Sequence, residues 1–295
     1  MRSAYSNKVV PWLLLSPSIL ICILFLYYPM VQIAKLSLYK VAFFGMRMKY
    51  VGLENFIQLF SSPVYLGSIL TSLVFSGAVV VLGISISMGL ALLANQKVYG
   101  ARLSRVGLIW PYALSPAIAG IVWLYLFNPA VGVINYTTGL LFGIKPQWYS
   151  HRSSALTMVI TAATWKILGY NVIFLLAGLQ NIPGQFLEAA QIDGASTFQR
   201  FWKITLPLLS PTMFFLLIMN LIQSFFTNFG LVNVMTEGGP REATNILIYQ
   251  MYTSGFRYFK SGFASAQSLI LFAIVVGLTL MQFKLTSRRV HYQGG

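Results

Sequence analysis

A chain of 295 residues that is 57% hydrophobic and only 8% charged cannot clothe a water-facing surface of its own size, because a soluble domain carries roughly 25% charged residues. With a mean hydropathy of +0.73, its solvent is lipid. The net charge of +15 invites nucleic acid, but Lys and Arg are scattered, with Arg288–Arg289 the one adjacent pair; no basic face forms, and these residues suit span ends and anionic lipid headgroups instead.

A membrane-crossing helix needs about 20 mostly apolar residues, and six stretches meet this: 10–34, 66–94, 104–127, 154–179, 211–233 and 262–285. The expected fold is therefore all-α and polytopic, with six transmembrane helices in a single domain over 1–295. The first stretch follows Arg2 and Lys8 as a signal peptide would. It is too apolar for too long, and no small-x-small site follows, so it reads as a retained anchor. Pro17 and Pro29 predict kinks in it. The third carries Trp110, Tyr112, Trp123 and Tyr125, which suit a belt at the lipid–water boundary or stacking on sugar rings. The fourth carries Trp165, Lys166, Tyr170 and Asn171 near mid-membrane, where a lysine needs a partner, water or substrate. The fifth carries Asn220, Gln223, Ser224, Thr227 and Asn228 at i, i+3, i+4, i+7 and i+8. One continuous polar stripe is expected there, lining a path or hydrogen-bonding to a neighbouring helix. With the N-terminus inside, ten basic residues fall on the inner side and nine on the outer, so charge leaves orientation open.

Between the fourth and fifth stretches, residues 181–210 are polar yet full of helix signals. Asn181 and Pro183 suit a helix start. Phe186, Leu187 and Ala190 share one side of a first short helix, and Asp193-Gly194 stops it, glycine taking the left-handed conformation without strain. Ser196 caps a second helix that aligns Phe198, Phe201 and Trp202. The segment is a helix–turn–helix that shows aromatic residues with no domain of its own to bury them. That surface suits docking to a partner or lying on headgroups.

At these residues the sequence resembles the membrane subunits of ABC importers. Glu188-Ala189-Ala190, Gly194, Ile204 and Leu206-Pro207 fill every defined position of the signature E-A-A-x3-G-x9-I-x-L-P. The likeness extends to the carbohydrate branch of type I importers through Ile182-Pro183, Asp193-Gly194-Ala195, Gly52-Leu53-Glu54-Asn55-Phe56, Asn128-Pro129 with Gly132, and Gly238-Gly239-Pro240 with Ala243-Thr244, where Glu237 stands for a usual glycine. Within it, the chain is most similar to A-type permease subunits of sn-glycerol 3-phosphate importers, up to the closing Arg289-Val290-His291-Tyr292-Gln293. The resemblance implies the type I permease fold and a cytoplasmic segment 181–210 seated in a cleft of an ABC ATPase dimer, with Glu188 on a basic residue. It also implies cytoplasmic termini, an inner (plasma) membrane of a bacterium, a second homologous permease, and an extracytoplasmic binding protein. Glu237, Gly238, Gly239 and Pro240 would meet that binding protein. Asn220, Gln223, Thr227, Lys166 and Tyr170 are the candidate substrate path, for sn-glycerol 3-phosphate or a neutral sugar or glucoside.

None of the ten lysines follows a glycine, so no phosphate-cradling G-x-x-x-x-G-K-[ST] loop exists. There is no Ser-His-Asp set, no pair of catalytic carboxylates and no H-E-x-x-H. The five acids, the single Cys22, and His151 and His291 far apart offer no metal site. The chain is expected not to be an enzyme and to hold no cofactor, with ATP and Mg on the separate ATPase. A self-contained carrier or channel, the remaining alternative, commonly shows internal repeats and intramembrane acids; no acid lies inside the six stretches.

Overall fold

The computed structural model describes residues 9–42, 47–96 and 101–286. Arg2, Lys8, Lys97, Arg288, Arg289 and the closing residues to Gln293 lie outside them. Among the described residues, four helices are long and apolar enough to cross a membrane, and two bent helix pairs bring the number to six if each is one crossing.

The first crossing, Val9–Ser37, joins α1 (Val9–Cys22) through a wide π turn at Ile23–Tyr27 to α2 (Tyr28–Ser37). That turn lies just before Pro29, which lacks the N–H needed to keep regular α spacing. Pro17 sits inside α1. A hairpin follows that was not anticipated from sequence. Strands β1 (Tyr39–Ala42) and β2 (Arg47–Tyr50) pair antiparallel, Tyr39 opposite Tyr50 and Lys40 opposite Lys49. Asn55 of α3 (Glu54–Phe60) fixes the hairpin's root, donating from Nδ2 to the Ser37 carbonyl at 2.7 Å and the Tyr39 carbonyl at 3.1 Å.

Next come α4 (Pro63–Ala94), α5 (Ala101–Ala113), α6 (Pro116–Leu126), α7 (Val133–Phe142) and α8 (Arg152–Gln180). The stretch 104–127 is not the straight helix expected: Val106–Ala113 and Pro116–Leu126 meet at 110°. Pro116 stands at the first turn of α6, and the Ser115 hydroxyl caps it by accepting from the Ile118 N–H at 3.3 Å. A fresh helix start therefore replaces a continuation.

The polar connector forms α9 (Gly184–Ile192), α10 (Thr197–Arg200), a π turn at Phe201–Thr205 and α11 (Leu206–Leu208). It leads at a 68° bend into α12 (Ser210–Phe226), followed by α13 (Phe229–Met235), α14 (Leu247–Tyr252), a π turn at Thr253–Arg257 and α15 (Ser261–Thr286). The stretch 211–233 is thus interrupted. The Thr227 hydroxyl donates to the Gln223 carbonyl at 2.7 Å and Asn228 Nδ2 to the Ser224 carbonyl at 3.1 Å. These side chains take up the last carbonyls of α12 and compete with further helix.

Two compact units result: residues up to Ser62 with Met251–Phe272, and Pro63–Gln250 with the chain from Ala273. In the second, α4 and α8 are the central pair. Small residues are buried on both, Ser68, Ser72, Ser76 and Ser87 of α4 and Ala155, Ala162 and Ala163 of α8, and the Ser87 hydroxyl donates across the pair to the Leu168 carbonyl at 3.3 Å. Lipid tails are as apolar as leucine, so close backbone approach, rather than apolar burial, holds such helices together. Phe75, Val79, Met158, Val159, Leu231 and Val232 form one buried cluster of this unit, and Val80, Ile84, Leu175, Leu209 and Leu216 a second.

Candidate functional site

The candidate residues fall in three places: a cavity within the crossings, the α9–α10 connector, and the turn after α13. All lie in the second unit.

Lys166 sits midway along the 29-residue α8. It lines a cavity of about 20 Å³ with Val79, Tyr112, Ala163, Ile167, Gln223, Thr227 and Asn228, space for one water molecule. Its ammonium lies 5.6 Å from the centre of the Tyr112 ring, which offers a negative π face. Tyr112 gets there because Gly169 lets α5 lie directly on α8: a Cβ at Gly169 would meet the Leu108 carbonyl oxygen at 2.8 Å. Tyr170 does not line this cavity. Its ring joins a row with Tyr112 at 5.3 Å and Phe174 at 4.8 Å, which continues to Phe215.

Asn220 departs from the expected stripe. It is fully buried, its amide joined to that of Asn171 by two hydrogen bonds of 3.0 and 2.7 Å, and Nδ2 also donates to the Leu216 carbonyl at 2.7 Å. It ties α12 to α8 and has no donor left to offer a permeating hydroxyl. Gln223 and Thr227, from the same expectation, do face the cavity, together with Asn228. Spacing alone put all of them on one face; the partner Asn171 on α8 is what separates a strut from a lining residue. The tryptophan rings meet one another as well, although Trp110 is 52% exposed. Trp165 meets Trp110 at 6.0 Å and Trp123 at 5.6 Å, and Phe127 links Trp123 to Trp148. Tyr125 remains exposed.

In the connector, Pro183 takes the N-cap of α9, while Asn181 closes α8 rather than opening the next helix. Gly194 adopts φ +79°, and the Ala195 N–H returns to the Ala190 carbonyl at 2.9 Å, a C-terminal stop that a left-handed glycine completes. Ser196 and Gln199 form a reciprocal capping box for α10. Arg200 then clasps the two helices, donating to Gln191 Oε1 at 3.0 Å and to the Thr197 hydroxyl at 3.3 Å; residue types alone did not reveal this clasp. Glu188, Ala189 and Asp193 are exposed, Ala190, Ile204, Leu206 and Pro207 partly buried. Ile192 is 86% exposed and Phe198 72%, a rigid element showing apolar side chains outward.

The turn after α13 is strongly shaped. Glu237, Gly238, Arg241 and Glu242 all have positive φ, and the Gly239–Pro240 peptide is cis. Beneath it Thr244 is fully buried; its hydroxyl lies 2.7 Å from that of Thr236 and donates to the Gly239 carbonyl at 2.9 Å. Gly238 packs on Tyr249, where a Cβ would sit 2.8 Å from Cε1. Glu237 is exposed, and Gly239 and Pro240 line an open cavity of about 380 Å³ with Tyr149. Burial raises the Tyr149 phenol above its ordinary pKa, and its hydroxyl donates to the Leu124 carbonyl at 3.3 Å.

A polytopic chain with an exposed, capped helix pair between its crossings is what this geometry defines, and comparison with known proteins gives the class. The family of binding-protein-dependent transport system inner membrane components matches residues 80–291. The sn-glycerol-3-phosphate transport system permease protein UgpA of Brucella abortus biovar 1 (strain 9-941) is 41% identical over 291 residues, covering 99% of each chain. UgpA of Rhizobium meliloti (strain 1021) is 41% identical over 293 residues, again 99% of each. In fold, the chain is similar to a permease in the crystal structure of a bacterial ABC transporter involved in alginate import (TM-score 0.80, 22% identity, 95% of this chain and 96% of that one). It is also similar to the same kind of transporter in complex with a pentasaccharide-bound periplasmic protein (TM-score 0.82, 22% identity, 95% of each chain). The chain therefore belongs to the inner membrane components of binding-protein-dependent transport systems.

Proposed function

We propose that this chain is one of two related permeases of an ABC importer and forms half of the translocation path for sn-glycerol 3-phosphate. The observation that carries the substrate is the likeness at 41% identity, end to end, to relatives named for that compound. Lys166 supports it: a phosphate entering a low-dielectric cavity needs a fixed cation beside it. The other side chains of the cavity, Gln223, Thr227, Asn228 and Tyr112, are neutral donors and acceptors that suit hydroxyls. They favour the second reading, a neutral sugar or glucoside in the same role.

Energy would enter through α9 and α10 in a cleft of a separate ATPase dimer, which holds ATP and Mg, with Glu188 on a basic residue there. Both termini would then be cytoplasmic, and Glu237–Pro240 would face the binding protein outside. The chain itself would do no catalysis. The test is uptake of labelled sn-glycerol 3-phosphate by cells carrying the complete importer and its own binding protein. Saturable uptake competed by unlabelled glycerol phosphate, and not by maltose or a glucosylglycerol, is the expected result; competition by the sugars alone would move the assignment to the second reading.

A further inference from the structure

Within the first unit lies a cavity of about 450 Å³ that has no part in the path described above. It is lined by Lys40 and Val41 of β1, Asn55 and Gln58 of α3, Lys260, and Gly262 and Phe263 in the first turn of α15. One wall is anchored, because Asn55 is buried and holds the Ser37 and Tyr39 carbonyls, while Lys40 and Lys260 stand exposed at the rim. Its charge is unbalanced. Lys40 stands 4.0 Å from Glu54, whose Oε1 also accepts from Gln58 Nε2 at 2.9 Å. Lys260 has no ion-pair partner among the described residues. Its ammonium is joined by the N-terminal turn of the 26-residue α15, the positive end of a long helix dipole. On the opposite side of α3, Leu53, Ile57 and Phe60 are exposed at i, i+4 and i+7. That apolar stripe suits the lipid boundary, next to which headgroups lie.

We infer that this cavity binds a glycerophosphoryl group, its phosphate between Lys260 and Lys40 and its glycerol carbons against Val41 and Phe263. Two sources share that chemistry: the headgroup of an anionic phospholipid and free sn-glycerol 3-phosphate. Only the second rests on the substrate reading above. A neutral polyol has no charge to match Lys260 and is excluded.

The experiment uses the intact importer, purified in a Lys166→Met background so that the path cavity adds nothing. Phosphatidylglycerol binding is read by native mass spectrometry and sn-glycerol 3-phosphate binding by equilibrium dialysis, with glycerol as the neutral control. Lys260→Met should weaken one of the two phosphate probes about fivefold, the worth of one lysine at an anionic interface. Lys40→Met added to it should weaken that probe further, and Lys260→Arg should bind like the parent. Loss confined to phosphatidylglycerol assigns the lipid source; loss confined to glycerol phosphate assigns the soluble one. Unchanged binding of both probes in Lys260→Met, or equal binding of glycerol, overturns the inference. The same spectra report whether each complex is assembled; if the double variant is not, Lys260→Met alone decides.

Discussion

Lys166 and Asn220 lie on neighbouring helices, both within the crossings, and their surroundings give them opposite work. Lys166 is held by a π face and by a cavity that hydroxyl and amide groups line, so its charge is met without being consumed by a carboxylate. Lys166→Met in the assembled transporter should lower flux by about tenfold or more, the worth of a charge-assisted hydrogen bond of about 1.5–3 kcal/mol, while ATP turnover stimulated by the loaded binding protein persists. Unchanged flux would remove the phosphate role, and loss of both would make the lysine structural. Asn220→Leu should act through the fold instead. It strands Asn171, a fully buried amide, at about 1–3 kcal/mol; less assembled complex after detergent extraction is expected, with Asn171→Leu in the same chain recovering part of the loss. Normal assembly of Asn220→Leu with lowered flux would return Asn220 to the path. The sequence showed which residues are polar within the crossings, and spacing put them on one face. Which of them face space and which face each other depends on a contact across 49 positions of chain, information that no local pattern holds.

At the scale of elements, the connector was the most legible part and the interrupted crossings the least. Capping residues, the left-handed Gly194 and the paired short helices follow from neighbours within four or five positions, and the structure has them. The bends at Ser115 and Leu209, the end of α12 at Phe226 and the small hairpin rest on competition between a helix and its alternatives, which hydropathy windows do not weigh. In the proposed function the connector acts as a lever. Gly194 fixes the turn, and the Arg200–Gln191 bond keeps the two helices from moving separately. Open space surrounds Gly194, so Gly194→Val introduces no clash and acts through backbone strain alone, about 1–3 kcal/mol for a left-handed position. Expected are normal membrane insertion, since no crossing is touched, and uptake reduced to near background. Gly194→Asn, which tolerates that conformation better, should retain most uptake. Normal transport by the valine variant would end the lever assignment.

For the whole molecule, direction across the membrane is carried by the partners each side meets rather than by charge. Ten basic residues against nine is no bias, and hydropathy is symmetric about the membrane plane. What would break the symmetry is the proposed function: in it the α9–α10 connector and the Glu237–Pro240 turn meet different partners on opposite sides, and both termini lie with the connector if there are six crossings. The connector supplies a good reporter, because Ile192 is 86% exposed and points away from its own unit's core. Cys22 is the only native cysteine, so a Cys22→Ser background allows single labels. Ile192→Cys should react with a membrane-impermeant maleimide in inside-out vesicles and not in intact spheroplasts, and Glu237→Cys should show the reverse. Adding the ATPase subunit should then protect Ile192→Cys severalfold, while leaving Glu237→Cys unaffected. Labelling of both positions from the same side would require an odd number of crossings between residues 192 and 237 to be wrong, and with it the counting of Ser210–Phe226 and its bent neighbour as one crossing. Labelling in the reversed sense with opposite sides kept would leave the crossings intact and invert the orientation, overturning the cytoplasmic placement of the connector and termini and the outward placement of Glu237–Pro240 together.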